Sequence, residues 1–163
     1  MLKKICGILS TLMIAVLAVV AAALFVPRML GYETMSVVSG SMEPGIPVGS
    51  IVYTNTKTDT ADLQKGDIIT YKIGEGTRVT HRIDSIEETG KFITKGDANN
   101  TVDAEPVDAA QIVGKVALSI PYLGYLSIYA KTPLGIAAVA GVVFILILLM
   151  FLPDVFSKEK EKK

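Results

Sequence analysis

Two long apolar segments lie near the ends of the chain and enclose a middle segment of mixed composition. Residues 5–26 carry no charge, and at about 1.5 Å per residue a helix of this length crosses the hydrocarbon core of a bilayer. Residues 134–152 form a second uncharged run, dominated by Leu, Ile, Val and Phe in its second half. The pattern predicts transmembrane helices over residues 1–28 and 132–153. A charged cytoplasmic tail is expected over residues 154–163, and its charged run at residues 158–163 is expected to be disordered.

The first apolar segment has a second interpretation, because a cleaved secretory signal also combines basic residues with an apolar run. The apolar part of such a signal is usually only about 7–15 residues long, which is shorter than residues 5–26. The small residues Ala21, Ala22 and Ala23 leave cleavage open as an alternative. On length, we expect a retained anchor.

The positions of lysine and arginine predict which side of the membrane the middle segment faces. Lys3 and Lys4 precede the first span, and four lysines follow the second span within residues 158–163. Arg28 and Lys131 stand at the opposite ends of the two spans. Cytoplasmic ends carry the excess of basic residues, so both termini are expected in the cytoplasm and the middle segment on the extracytoplasmic side of the cell membrane.

The middle segment, residues 29–131, alternates short β-prone runs with Gly and Pro turn signals. Apart from a weak turn near residues 60–64, none of its runs keeps a helical period over three turns. Six strands are predicted, at residues 34–38, 50–54, 67–73, 78–86, 91–95 and 112–119. We therefore expect a mainly β protein, in which a small antiparallel, barrel-like domain is held between the two transmembrane helices. Residues 121–131, with three tyrosines, are expected at the membrane interface or packed beneath the domain.

Composition argues against several classes of function. The chain of 163 residues has zero formal net charge and no basic patch with interleaved aromatics, so nothing indicates nucleic-acid binding. The single cysteine, Cys6, cannot form an intrachain disulfide. With one histidine, no calcium-type loop and no nucleotide-binding loop, neither a metal nor another cofactor is predicted.

Three polar stretches of the middle segment carry side chains suited to serine hydrolysis. Ser41, in Ser39-Gly40-Ser41, stands between a β-like run and a Pro/Gly turn, where a hydroxyl and nearby N–H groups can be exposed. His81 is the one histidine, and imidazole suits proton transfer near neutral pH. Asp97 and Asp103 lie in a Gly- and Asn-rich loop, and either could orient an imidazole. The ordinary alternatives are a plain turn, a surface histidine and turn-capping aspartates.

Four segments in chain order resemble the type I signal peptidases. They are Ser39-Gly40-Ser41-Met42-Glu43-Pro44, Gly66-Asp67-Ile68-Ile69, Thr80-His81-Arg82-Ile83 and the loop from Lys95 to Asp103. Each segment alone is unspecific, and their order and spacing within residues 34–120 carry the resemblance. The common bacterial branch has a lysine base in the third segment, where this chain has His81. The chain therefore resembles the Ser/His branch of the endoplasmic reticulum, archaea and sporulating bacteria; Lys72 and Lys95 fall outside that segment.

This resemblance implies a membrane-bound serine endopeptidase that removes signal peptides from exported preproteins. It implies that Ser41 is the nucleophile, His81 the general base and Asp103 the acid that orients the base. Asp97 matches a second aspartate of the family with a structural role, and the residues alone do not decide which aspartate meets His81. The Ser41 N–H, helped by the Ser39 hydroxyl, would form the oxyanion hole.

The implied partners are signal-peptide-bearing preproteins and membrane lipid, and the sequence does not indicate whether other membrane proteins join a complex. The predicted strand at residues 34–38 would pair with the extended cleavage segment, and shallow pockets would admit its small side chains. Two alternatives stay open: a catalytically inactive β-domain scaffold or binding protein in the membrane, and a relative that cuts a narrow set of substrates.

Overall fold

The computed structural model describes residues 2–74 and 76–160. Packing divides the chain into two compact units, one formed by Met1–Phe25 with Tyr129–Lys163 and the other by Val26–Ile128. The helices of the described residues are α1 (Leu2–Met29), α2 (Leu123–Tyr129) and α3 (Pro133–Lys160). The division rests on packing alone, so the predicted domain boundaries and their membrane sides stay predictions.

The two long helices of the first unit are candidate membrane spans. The segments Lys4–Met29 and Pro133–Phe151 are both long and apolar enough to cross a bilayer, by length and composition. Almost none of their residues is buried inside the protein. Apolar side chains left exposed along a whole helix suit a helix that faces lipid rather than one in a protein core. The two helices are therefore consistent with a membrane protein.

Helix α3 extends beyond the predicted span. Disorder was expected over residues 158–163, but the helix reaches Lys160, so that expectation is wrong for residues 158–160. Lys and Glu are good helix formers, and a helix that already exists extends without forming a new nucleus. The charged sequence can therefore continue the apolar helix. Residues 161–163 of the predicted tail lie outside the described residues.

All six predicted strands are present in the second unit, and their ends differ from the predicted ones by two residues or fewer. The strands are β1 (Tyr32–Ser36), β2 (Ile51–Asn55), β3 (Ile68–Ile73), β4 (Thr77–Ile86), β5 (Phe92–Lys95) and β6 (Ile112–Ile120). The weak turn predicted near residues 60–64 is a single 3-10 turn at Thr60–Asp62. Helix α2 was not predicted, because seven residues are too few to show a helical period.

The strands form one antiparallel sheet in the order β1-β2-β6-β3-β4-β5. The last strand, β6, inserts between β2 and β3 and joins the two parts of the sheet. The mainly antiparallel fold is thus confirmed. Within the described residues β1 and β5 are edges that do not pair with each other, so the sheet is not closed and the barrel-like form stays unconfirmed.

The sheet is curled, although it is open. An ion pair of 2.6 Å joins Glu33 Oε1 on β1 to Arg78 Nη2 on β4. Three strands lie between β1 and β4 in the sheet order, so a flat sheet would hold these side chains far apart. Register shifts in the β2–β6, β3–β6 and β4–β5 pairs supply bends of the kind that β-bulges produce.

Two apolar clusters lie on opposite faces of the sheet. One contains the buried residues Leu63, Ile69, Tyr71, Ile83, Phe92 and Val107. The other contains Met42, Ile46 and Val52, with Met35, Val37, Ile68 and Val116 packed against them. Neighbouring residues of a strand point to opposite faces, which is why Ile68 belongs to one cluster and Ile69 to the other. The second cluster anchors the turn that follows β1.

Candidate active site

Ser41 and His81 line the same cleft, which has a volume of about 240 Å³. The cleft lies in the second unit, between β1 with the turn that follows it and the first half of β4. Its lining residues are Met35, Ser36, Val37, Val38, Ser39, Ser41, Met42, Ile46, Val52, Arg78, Val79, Thr80 and His81. Ser39, the second serine singled out from the sequence, is exposed at this cleft, and Ser41 is half-buried.

The turn that carries Ser41 is anchored from below by two apolar side chains. Met42 and Ile46 are each 2% exposed and belong to the core cluster with Val52. Within the turn, the Ile46 N–H donates to the Met42 carbonyl at 2.7 Å, and the Glu43 N–H donates to the Gly40 carbonyl at 3.0 Å. Burying Met42 while Ser41 stays half-buried directs the turn so that the serine faces the cleft.

The two main-chain polar groups of Ser41 differ in their hydrogen bonding. Its carbonyl accepts a 2.9 Å hydrogen bond from the Ala98 N–H, in the loop that follows β5. Within the described part of the chain, no hydrogen bond is made by the Ser41 N–H. An N–H left without a partner beside a serine hydroxyl is what an oxyanion hole requires.

His81 is held by Asp103. The Nδ1 atom of His81 lies 2.6 Å from Asp103 Oδ2, and the imidazole is buried in β4 with 8% of the residue exposed. An ionised carboxylate only accepts hydrogen bonds, so Nδ1 carries the proton in the neutral ring and Nε2 is the unprotonated nitrogen. Ser41 Oγ makes no hydrogen bond to His81 among the described contacts; such bonds are often long in substrate-free enzymes.

The Oδ2 atom of Asp103 accepts two more hydrogen bonds. Thr94 Oγ1 lies 2.6 Å and Tyr71 Oη 3.1 Å from Asp103 Oδ2. Burial is the largest single influence on the pKa of Asp103 and raises it, but the hydrogen bonds from Thr94, His81 and Tyr71 and the nearby histidine charge outweigh burial. The pKa of Asp103 is therefore lowered, and the carboxylate is ionised at neutral pH.

Tyr71 packs against the imidazole as well as binding the carboxylate. The rings of Tyr71 and His81 meet edge to face, with centroids 6.4 Å apart. Burial raises the pKa of Tyr71 to about 12, and the neighbouring carboxylate adds to the rise. The phenol therefore keeps its proton and stays a donor to Asp103 at neutral pH.

Asp97 has a different partner from Asp103. Its two oxygens accept from Arg82 Nε and Nη2, each at 2.8 Å, while Arg82 Nη1 donates to the Gly66 carbonyl at 2.8 Å. Hydrogen bonding to the Asp97 carboxylate, with Arg82 as donor, is the main cause that raises the pKa of Arg82. This bidentate pair ties the loop after β5 to β4. The structure thus brings Asp103, and not Asp97, to His81.

The remaining candidates from the sequence lie elsewhere. Lys72 and Lys95, the two lysines weighed as alternative amines, are not among the described residues that line the cleft. In the described part of the chain, no three or more His, Cys, Asp or Glu side chains are grouped so that they could hold a metal ion. Cys6 is a free cysteine in α1.

Sequence reasoning missed Thr94 and Tyr71 as members of the site. A signal was present, because both are polar residues at positions where strand alternation places the core. Thr94 follows the buried Phe92 by two residues, and Tyr71 follows the buried Ile69 by two. A buried polar side chain needs a partner, and here both partners are the carboxylate of Asp103.

Comparison with known proteins gives consistent matches. The family model described as "Signal peptidase, peptidase S26" matches residues 8–93, which are just over half of the chain. Over 84 residues the chain is 46% identical to signal peptidase I W of Bacillus subtilis (strain 168), covering 50% of this chain and 44% of the relative. Over 105 residues it is 32% identical to the signal peptidase complex catalytic subunit sec11 of Neurospora crassa, covering 56% and 60% of the two chains.

A further relative is the signal peptidase complex catalytic subunit SEC11 of Pyricularia oryzae, 29% identical over 125 residues, which are 69% of this chain and 73% of that protein. The chain spans only about half the length of the first curated relatives it matches. The segment matched by the family model includes Ser41 and His81, whereas Asp103 lies beyond its end. Because that segment makes up more than half of the sequence, this chain belongs to the signal peptidase family, peptidase S26.

Proposed function

We propose that this chain is a membrane-bound serine endopeptidase that removes signal peptides from exported preproteins, with Ser41 as nucleophile and His81 as general base. The observation that carries the proposal is that both side chains line one cleft while Asp103 binds the far nitrogen of the imidazole. Family membership supports the reaction class. The relatives are named as a signal peptidase and as a signal peptidase complex catalytic subunit, and these names support the substrate class.

In the proposed reaction, Ser41 Oγ attacks the carbonyl carbon of the scissile peptide bond. His81 Nε2 accepts the hydroxyl proton during this attack and later gives it to the leaving amine. An acyl-enzyme on Ser41 results, and a water molecule activated by the same nitrogen hydrolyses it. Asp103 stays ionised throughout, because its hydrogen bonds lower its pKa, and it stabilises the imidazolium that forms.

The oxyanion of the tetrahedral intermediate would be bound by the Ser41 N–H. This group makes no hydrogen bond among the described residues and stands next to the attacking hydroxyl. The Ser39 hydroxyl lines the same cleft and would be the second donor. Two donors aimed at the developing charge stabilise the transition state more than the ground state.

Substrate would bind as an added strand along β1. This strand pairs with β2 on one side, and among the described strands its other side has no partner. Met35, Ser36 and Val37, at the end of β1 and just after it, line the cleft beside Ser41. Backbone pairing there would hold an extended cleavage segment, and the small cleft would favour alanine-sized side chains before the scissile bond.

Membrane anchoring would bring enzyme and substrate together. The two candidate spans, α1 and α3, would hold the sheet on the extracytoplasmic side, with both termini in the cytoplasm, as the lysine distribution indicates. A signal peptide lies in the same bilayer, so both partners would be confined to one surface. Confinement raises the effective concentration, and a weak intrinsic affinity then suffices.

The test is cleavage of a preprotein by the full chain in lipid vesicles, with product identified by N-terminal sequencing. The preprotein carries alanine at the first and third positions before the cut. We expect Ser41→Ala to abolish cleavage and Ser119→Ala, a half-buried serine of β6 outside the cleft, to cleave like the original chain. Equal cleavage by Ser41→Ala would reject the protease and favour a scaffold or binding role.

A further inference from the structure

The carboxylate of Asp103 is hydrogen-bonded to side chains from three different strands. Its Oδ2 atom is reached by Tyr71 from β3, by His81 from β4 and by Thr94 from β5. Asp103 itself lies in the irregular loop after β5, where its N–H donates to the Thr94 carbonyl at 2.8 Å. Two of the three side-chain donors, Thr94 and Tyr71, belong to no part of the proposed reaction.

We infer that Thr94 and Tyr71 are positioning residues, which hold the Asp103 carboxylate in the orientation that keeps the proton of neutral His81 on Nδ1. The consequence for catalysis rests on the proposed function, because only an unprotonated Nε2 can take the proton of Ser41. The effect on the tautomer does not depend on that function. The inference therefore has a part that is tested without substrate.

The distances assign the proton of Thr94 to the carboxylate. Thr94 has one hydroxyl proton and two acceptors within reach, Asp103 Oδ2 at 2.6 Å and Tyr71 Oη at 3.2 Å. The shorter bond, to a charged acceptor, is the stronger one. Tyr71 then directs its own proton to Asp103 at 3.1 Å. Both hydroxyls act as donors to the same oxygen as His81.

Burial makes this arrangement rigid. Thr94 is 0% exposed and Tyr71 is 3% exposed, so water does not compete for their hydroxyls. Asp103, by contrast, has 21% of its side chain exposed, so its carboxylate borders solvent. Without the two hydroxyls, a carboxylate on an irregular loop would be free to turn towards water. The imidazole would then lose the acceptor that fixes its tautomer.

The groups that face Asp103 are few. His81 and Tyr71 are the titratable side chains that contact it, from β4 and β3, and Thr94 from β5 is neutral. Within the described residues no other ion pair or hydrogen bond is made to its carboxylate, and Arg82 is occupied by Asp97. A change in the state of His81 after substitution of Thr94 therefore reports on the carboxylate.

The experiment uses the fact that the chain has a single histidine. Labelling histidine with ¹⁵N in the full chain, in detergent micelles, gives ring signals from His81 alone, and their shifts report the tautomer of the neutral ring. The variants are Thr94→Val, which keeps the side-chain shape and removes the hydroxyl, and Thr94→Ser, which keeps the hydroxyl. Thr70→Val is the matched control, a fully buried threonine whose hydroxyl binds Thr54 and Thr80 instead.

We expect the original chain, Thr94→Ser and Thr70→Val to show predominantly the Nδ1–H form. Thr94→Val should show a mixture of tautomers, and its kcat/KM on the vesicle substrate should fall about 10- to 100-fold, as when one hydrogen bond to a charged group is lost. Thr94→Ser should restore both. Tyr71→Phe should shift the tautomer in the same direction by less, because its hydrogen bond is longer.

The inference is overturned if Thr94→Val and Tyr71→Phe both keep the Nδ1–H form. It is equally overturned if Thr70→Val changes the tautomer as much as Thr94→Val, since that would mark a general effect of losing a buried hydroxyl. Should Thr94→Val not fold, Tyr71→Phe alone decides the point. Full cleavage by Ser41→Ala would refute the proposed function, and the tautomer measurement would still test the inference.

Discussion

The Ser41 carbonyl and the Ala98 N–H are joined by a 2.9 Å hydrogen bond. This bond connects the turn that carries the proposed nucleophile to the loop that carries Asp97 and Asp103. The same loop is tied to β4, next to His81, by the bidentate contact between Asp97 and Arg82. The loop after β5 therefore sets the positions of nucleophile and base together, although it contributes neither of them.

Gly96 tests this connection between the two loops. A methyl group added there would lie 2.5 Å from the Ser41 carbonyl oxygen, which is backbone and cannot move aside cheaply. We expect Gly96→Ala to lower preprotein cleavage at least about 10-fold, since a displacement near 1 Å can cost about 100-fold in rate. Gly141→Ala on α3, where an added methyl meets no atom within 4 Å, should cleave normally. Normal cleavage by Gly96→Ala would show that the loop contact does not position Ser41.

Substitution of Asp103 should mainly lower activity, and substitution of Asp97 should mainly lower stability. Asp103→Asn is expected to reduce kcat by about 100- to 10,000-fold, because an amide no longer enforces the tautomer of the base. Asp97→Asn should lower the free energy of unfolding by roughly 1–2 kcal/mol, because Arg82 loses its bidentate partner at a partly exposed site. Initial cleavage rates and thermal unfolding of both variants decide this. If Asp97→Asn lost activity and Asp103→Asn lost only stability, Asp97 would be the residue that orients the base.

Stability should depend on pH through Asp103. Its pKa in the folded protein is lowered below the ordinary value of 3.8, so its contribution is fully present above about pH 4 and is lost as the pH falls through the lowered folded pKa. Thermal unfolding of the original chain and of Asp103→Asn should therefore differ at every pH above about 4. The difference should shrink as the pH falls from about 4 towards 2. A difference that stays undiminished at pH 2 would contradict this contribution of Asp103.

Replacing His81 by lysine should not restore a base. The site places a carboxylate 2.6 Å from the ring nitrogen, and a lysine amine beside Asp103 would be held in its charged form. An ammonium cannot accept the proton of Ser41. We expect His81→Lys to be as inactive as His81→Ala in the vesicle assay. Cleavage by His81→Lys within about 10-fold of the original chain would show that Asp103 does not control the base.

Much of the fold was predictable because it depends on local pattern. Short β-prone runs separated by Gly and Pro turn signals indicated all six strands, since strand propensity and turn chemistry are properties of short segments. Helix α2 and the extension of α3 to Lys160 were missed. The first is too short to show a period, and the second continues an existing helix through a sequence that was read as disordered.

Some residues of the candidate site were likewise predicted from the sequence, and others were not. Ser41 and His81 were chosen from the sequence through their chemistry and the resemblance to a family. The partner of His81 was not decided, because Asp97 and Asp103 lie in one loop with similar neighbours along the chain. Thr94 and Tyr71 were missed as members of the site. Their hydroxyls bind the same oxygen of Asp103, and no local sequence pattern indicates that shared partner.

The sequence by itself determined the two apolar helices, the short strands between them and the presence of residue types suited to serine hydrolysis. These features follow from the length of apolar runs, turn signals and side-chain chemistry, which are local. The order of the strands, the curl that brings Glu33 to Arg78 and the choice of Asp103 over Asp97 were decided by the tertiary structure alone. They depend on contacts between residues far apart in the chain, and such contacts arise only when the strands pack together.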